Sequence, residues 1–183
     1  MSTPRTLGSD PSAPITIAIL AMGGQGGGVL VDWIVDLATH NGYVAQATSV
    51  AGVAQRTGAT IYYIELFAKA HLPASGQLPV LAQMPVPGEV DIVIASELME
   101  AGRAMQRGLV TTYRTGVTHA RRFLHEDMQA IASQQRSVLS AALFGALAGA
   151  AELPFDDAAY EDTIRRAGIG VEASLRCFRA GLQ

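Results

Sequence analysis

The chain predicts an α/β fold: a Rossmann-like, mostly parallel sheet with helices on both faces and a helical extension at the C-terminal end. Three observations carry that prediction. Ile15–Met22 (ITIAILAM) is an uninterrupted apolar run, the mark of a strand buried on both faces. Five glycines follow at once, Gly23, Gly24, Gly26, Gly27 and Gly28, broken only by Gln25. Val29–His40 then places Leu30, Ile34, Leu37 and Ala38 at helical spacing. Strand, glycine turn and helix make the first half of a βαβ unit. Asn41-Gly42 ends the helix with residues that tolerate a left-handed cap.

The other elements follow from the same patterning. Tyr43–Ser49 reads as a second strand, and Thr60–Ala68 (TIYYIELFA), rich in β-branched and aromatic residues, as a stronger third. Residues 69–88 carry four prolines and predict a loop or irregular edge. Asp91–Ala95 is a buried strand, Ser96 a helix cap for Glu97–Arg107, and Leu109–Tyr113 a fifth strand. From Ala120 the pattern is all helical: Ala120–Ser133, Ser137–Ala151, Asp156–Ala167 and Gly170–Ala180. Ala141, Gly145 and Gly149 put small side chains on one helical face, which predicts close packing, within the domain in preference to across a subunit boundary.

Of 183 residues, 49% are hydrophobic and 16% charged, enough apolar side chains for one core. We read a mobile tail over Met1–Pro14 and a single domain over 15–183, with 15–115 as α/β core and 116–183 as helical part. The tail has no apolar run of the signal-peptide kind. A net charge of −3 without a basic stripe argues against a nucleic-acid partner. The charge-free, Ala- and Gly-rich stretch 137–151 is shorter than the roughly 20 residues a membrane span needs. Cys177 is the sole cysteine, so the chain holds no internal disulfide, cysteine zinc site or cluster of its own, which points to a reducing, cytoplasmic setting. Ten of the 13 basic residues lie after position 100, as expected of a solvated, arginine-rich helical surface.

Two clusters are candidates for a site. The turn Gly23, Gly24, Gln25, Gly26, Gly27, Gly28 aims backbone amides and a positive helix end at one point, which suits an anion or the close approach of another chain. It does not match G-x-G-x-x-G, no acidic residue closes the second strand, and no Lys-Ser/Thr follows. A self-sufficient dinucleotide site or P-loop is therefore disfavoured. The second cluster is Gln55, Arg56, Thr57 and Gly58, where a lone arginine in a glycine loop follows a strand end and can grip a carboxylate or phosphate. His40, His71, His119 and His125 are scattered and give no metal set. Glu97 and Glu100 read as helix-start charges rather than a catalytic pair. No catalytic residue emerges.

Taken together, the clusters resemble a known family. Gly23-Gly24-Gln25-Gly26, then Gly52, Gln55, Arg56 and Gly58, then Asp91, Ala95, Glu97, Glu100, Ala101 and Arg103, match in order. So do Gly145-Ala146-Leu147 and Leu153-Pro154-Phe155. The pattern is similar to the gamma-type domain of 2-oxoacid:acceptor oxidoreductases, most closely the beta subunit of indolepyruvate:ferredoxin oxidoreductase. Met22, Ala51 and Thr57 depart from it. The resemblance implies a subunit of an enzyme that oxidatively decarboxylates aryl pyruvates with CoA as co-substrate and ferredoxin as acceptor. Thiamine diphosphate and iron–sulfur clusters would sit on a partner alpha subunit in a hetero-oligomer, with none on this chain. The two clusters would then face that partner or the substrate channel. The alternatives are a free-standing NAD- or FAD-binding oxidoreductase and a non-catalytic structural or regulatory module.

Overall fold

The computed structural model describes residues 13–50, 59–110, 124 and 126–182. The α/β class is as expected. Four strands, β1 (Ile15–Ala21), β2 (Tyr43–Val50), β3 (Thr60–Ala68) and β4 (Ile92–Ala95), form one sheet in the order β2-β3-β1-β4. The sheet is mixed. β1 and β4 run parallel, while β2–β3 and β1–β3 run antiparallel, where a mostly parallel arrangement was expected. The reason is chain length: the link from β2 to β3 is too short for the helical crossover that parallel strands require.

β1 is buried along its whole length because both of its faces are covered. Ile15, Ile17, Ile19 and Ala21 join the larger core, beneath α1 (Gly27–His40) and the C-terminal helices. Ala18 and Leu20 point the other way, into a smaller core with Ile61, Ala104 and Leu109 beneath α2 (Leu98–Gln106). Two opposed faces account for the unbroken apolar run. Asn41 and Gly42 end α1 as expected: the Asn41 amides bond back to Leu37 and Ala38, and Gly42 has φ 84°.

Leu109 and Val110 do not form a strand. The chain bends there, with the Leu109 amide bonded to the Ala104 carbonyl, and 111–113 lie outside the described residues. The helical part comprises α3 (Met128–Gln134), α4 (Leu139–Gly149), α5 (Asp157–Ala167) and α6 (Val171–Gly181). The part of the expected first helix at 120–123 and 125 is also outside the described residues. Asp127 and Asp156 cap α3 and α5, each accepting an amide at 2.9 Å. The small-residue face of α4 packs against α6: Gly145 lies against the Phe178 carbonyl, Gly149 against Leu182, and Gly181 against Ala142. Trp33, Phe144, Tyr160 and Phe178 meet ring to ring and join this helical layer to α1. Outside, Arg165 and Arg179 pair with Glu161, and Arg166 with Asp36 of α1, so these three arginines serve the solvated surface. No helix among the described residues is long and apolar enough to cross a membrane.

Between β3 and β4 the chain forms a strap over residues 72–90. It lies on the same face of the sheet as α2, over β2 and the middle of β3. Gln46 donates to the Ala82 carbonyl at 3.0 Å, Thr48 to the Gln83 carbonyl at 2.6 Å, and the Ala82 amide to Glu65 at 2.7 Å.

Candidate functional site

β1 and β4 lie side by side and parallel, and the helix that follows each leaves toward a different face. That arrangement makes a switch point, and the position beyond the carboxyl ends of the two strands is the crevice where open α/β sheets bind ligands. The glycine turn forms one wall of the crevice and Ser96-Glu97 the other.

The glycines have separate tasks. Gly24 and Gly26 are left-handed, with φ 85° and 75°, and Gly26 is the N-cap of α1. Gly27 and Gly28 already belong to the helix. A Cβ on Gly27 would stand 2.7 Å from both the Ala21 Cβ and the Tyr62 ring, so the helix can sit this close to the sheet only without a side chain there. A Cβ on Gly23 would meet nothing within 4 Å. Because Gly26 has no capping side chain, the first-turn amides of α1 meet no acceptor among the described residues. The turn therefore presents open amides at a positive helix end.

Gln25 joins the two walls. Its side-chain carbonyl accepts from the Met22 amide at 3.2 Å and from the Ser96 hydroxyl, and its Nε2 donates to Glu97 at 2.5 Å. The Gln25 amide closes the turn onto the Met22 carbonyl at 3.2 Å. Ser96 was expected to cap α2. The cap residue is Glu97 instead, and it makes no side-chain capping bond, because Gln25 takes both polar groups. Glu97 and Glu100 are not a pair: Glu97 faces Gln25, while Glu100 is 1% exposed and bound to Arg103. Sequence spacing gives no sign of Ser140, on the first turn of α4. Its Oγ is fully buried, has no hydrogen-bond partner among the described residues, and lies 3.2 Å from where a Gly26 Cβ would be.

Gln55, Arg56, Thr57 and Gly58 lie outside the described residues. Their flanks are clear: β2 ends at Val50, opposite Ile61, and Thr60 pairs with Ala21, the last residue of β1. Among the described residues no three His, Cys, Asp or Glu side chains gather as a metal site. His40 sits against Asp36 on α1 and His71 edge-on to Phe67, so neither reaches the crevice. Cys177 is buried in α6, and that burial pushes its thiol pKa up, which makes it unreactive.

A Rossmann-like α/β chain with a switch point between β1 and β4 is the class these observations define. The chain belongs to the Pyruvate ferredoxin/flavodoxin oxidoreductase family, which it matches over residues 16–183. Its fold is similar to three solved structures. In 2-oxoglutarate:ferredoxin oxidoreductase from Magnetococcus marinus, solved with 2-oxoglutarate, coenzyme A and succinyl-CoA bound, the TM-score is 0.65 at 13% identity. That match covers 93% of this chain but 30% of the other. The gamma subunit of keto/oxoacid ferredoxin oxidoreductase from Geobacter sulfurreducens gives 0.60 at 16%, covering 91% and 95% of the two chains. A pyruvate oxidoreductase subunit from Thermotoga maritima gives 0.57 at 18%, covering 93% and 96%. No curated protein matches the chain.

Proposed function

We propose that this chain is the cofactor-free, gamma-type subunit of a 2-oxoacid:ferredoxin oxidoreductase acting on an aryl pyruvate such as indolepyruvate. The reaction cleaves the bond between carboxylate and carbonyl carbon, releases CO2, joins the acyl group to the sulfur of CoA and passes the electrons to ferredoxin. Thiamine diphosphate and iron–sulfur clusters supply that chemistry on a partner alpha subunit. This chain contributes Gly23, Gly24, Gln25, Gly26, Gly27 and Gly28, with Gln55, Arg56, Thr57 and Gly58, as a surface facing the partner or the CoA channel.

The observation that carries the reading is the open first turn of α1, held to the second wall of the crevice by Gln25. Open amides at a helix N-terminus suit a phosphate such as those of CoA, and β2 ends and β3 begins at the same end of the sheet. The test is to purify the tagged chain from its native host and assay what accompanies it. A companion with thiamine diphosphate and iron–sulfur absorbance, and CoA-dependent reduction of ferredoxin by indolepyruvate, is the expected result. Tight calorimetric binding of NAD or FAD by the lone chain would replace this reading with a free-standing dehydrogenase. Unchanged turnover of the assembled enzyme on Arg56→Ala would instead favour a purely structural module.

A further inference from the structure

Among the described residues, four of the six α-helices begin on a carboxylate. Glu97 precedes α2, Asp127 and Asp156 cap α3 and α5, and Glu172 sits in the first turn of α6. α1 and α4 have neither an acidic residue in the first turn nor a capping side chain. These two helix starts meet. A Cβ on Gly26, the N-cap of α1, would lie 3.2 Å from the Ser140 hydroxyl oxygen and 3.8 Å from the Ser140 amide nitrogen. Ser140 is the second residue of α4, so the first turn of one helix abuts the cap of the other.

Each helix start carries the equivalent of roughly half a positive charge. Two such ends in contact repel each other unless an anion lies between them. The amides of Gly27 and Gly28 in α1, and of Leu139 and Ser140 in α4, meet no acceptor among the described residues. Ser140 adds a hydroxyl to this set. It is 0% exposed, and its Oγ has no hydrogen-bond partner among the described residues. Leaving a buried hydroxyl unpaired is costly, and a helical serine ordinarily escapes that cost by bonding the carbonyl one turn back. The carboxylate of Glu97, tied to the glycine turn, is engaged by the Gln25 side-chain amide at 2.5 Å and bonds none of these donors.

We propose that the first turns of α1 and α4, with the Ser140 hydroxyl between them, form one phosphate subsite in which Ser140 is the inner donor. The phosphate oxygens accept from the open amides and from Ser140, which gains the acceptor that the unliganded chain lacks. Gly26 carries no side chain, and a Cβ on the exposed Gly23 or Gly24 would meet nothing within 4 Å, so a tetrahedral anion can approach the backbone closely. Assigning that phosphate to CoA rests on the reading given under Proposed function, whereas the subsite itself does not. The subsite also gives the helical part of the chain a share in the site that the glycine turn opens.

The experiment compares the full wild-type chain with Ser140→Ala in two settings. The lone chain is melted in sodium pyrophosphate and in sodium chloride of equal ionic strength. Expected is a rise in melting temperature specific to pyrophosphate in the wild type and absent from Ser140→Ala. In chloride, the variant melts at or above the wild-type temperature, because it loses an unpaired buried hydroxyl. The enzyme purified with its companion is then titrated calorimetrically with CoA, dephospho-CoA and pantetheine. Expected is an affinity loss of about 10-fold for CoA, the contribution of one hydrogen bond to a charged group, and none for pantetheine, which has no phosphate. The same loss for dephospho-CoA assigns the subsite to the diphosphate, and no loss assigns it to the 3′-phosphate. Equal pyrophosphate response and equal CoA affinity in the two chains overturn the subsite and leave the functional reading intact. A variant that melts well below the wild type overturns it too, because the hydroxyl then has a partner within the protein. A wild-type chain that responds to pyrophosphate through Ser140 but brings no thiamine-dependent companion overturns the functional reading and leaves the subsite standing.

Discussion

Ser96 donates its hydroxyl to the side-chain carbonyl of Gln25, so the turn after β4 is tied to the turn after β1 by side chains from opposite walls of one crevice. The same carbonyl receives the Met22 amide, and the Gln25 amide group reaches Glu97. A glutamine flanked by glycines has no local packing to hold it. These three bonds give it one position.

Gln25→Ala removes all three bonds and Ser96→Ala one of them. At about 1 kcal/mol for each net bond, Gln25→Ala costs about 1–2 kcal/mol in urea unfolding, the Glu97 bond being exposed and contributing least. The double variant costs less than the sum of the singles, with a coupling of at least about 0.5 kcal/mol. Strict additivity would mean that the two walls are not joined.

Gly27 and Gly23 make a contrast within one turn. Alanine at Gly27 places a methyl 2.7 Å from both Ala21 and the Tyr62 ring, and forcing α1 off the sheet costs about 1–3 kcal/mol. Alanine at Gly23 meets nothing within 4 Å and stays within about 0.5 kcal/mol of the wild type. Chemical denaturation of the two variants tests the assignment, and equal effects would refute it.

The α4–α6 contact depends on a missing side chain in the same way. A Cβ on Gly145 would meet the Phe178 carbonyl, which is backbone and cannot turn aside. Gly145→Ala therefore separates the helices and costs more than about 2 kcal/mol. It also disturbs Phe144 against Trp33, whose ring centroids are 5.4 Å apart. A weakened near-UV circular dichroism band of Trp33 accompanies the loss of stability. A variant with the wild-type band and melting temperature would contradict the close packing.

Much of this was legible in the sequence, for reasons specific to each element. The β1–α1 unit reads directly because its period changes at the glycines, and Thr60–Ala68 is β3 to the residue. The stripe Ala141, Gly145, Gly149 packs within the domain as its spacing implied. Strand direction was not legible, since an apolar strand shows that it is buried but not which way it runs. A serine before a helix reads as a cap, and only the fold brings Gln25 to compete for Ser96. Leu109 and Val110 look like strand because they are β-branched or apolar, but they close the small core beneath α2. The prolines of the strap announced an irregular path. That Leu78, Val80, Met84 and Val86 stand in water appears only in the structure, where the Ala82 amide is held by Glu65. For the site, the glycine turn was found and Ser140 was not, because α4 approaches Gly26 from the far end of the chain.

Stability at alkaline pH follows from buried hydroxyls. Burial, reinforced by the hydrogen bond to Glu65 and the charge of that carboxylate, holds the Tyr63 phenol well above the ordinary tyrosine value. Burial among Phe144 and Phe178, with a smaller effect of Asp157, does the same to Tyr160. A raised pKa in the folded state means that only the unfolded chain loses these protons between about pH 10, the unperturbed phenol value, and the higher folded values. The stabilisation is complete below about pH 10 and drains away above it. Each phenol contributes a slope of up to about 1.4 kcal/mol per pH unit. The melting temperature should therefore fall from about pH 10 upward. Absorbance titration of the folded chain should leave at least two of the five tyrosines protonated at a pH where the unfolded chain ionises all five. Tyr160→Phe keeps the ring stack and should make the decline shallower by one phenol. If the slope does not change, the buried phenols are not the groups that set alkaline stability.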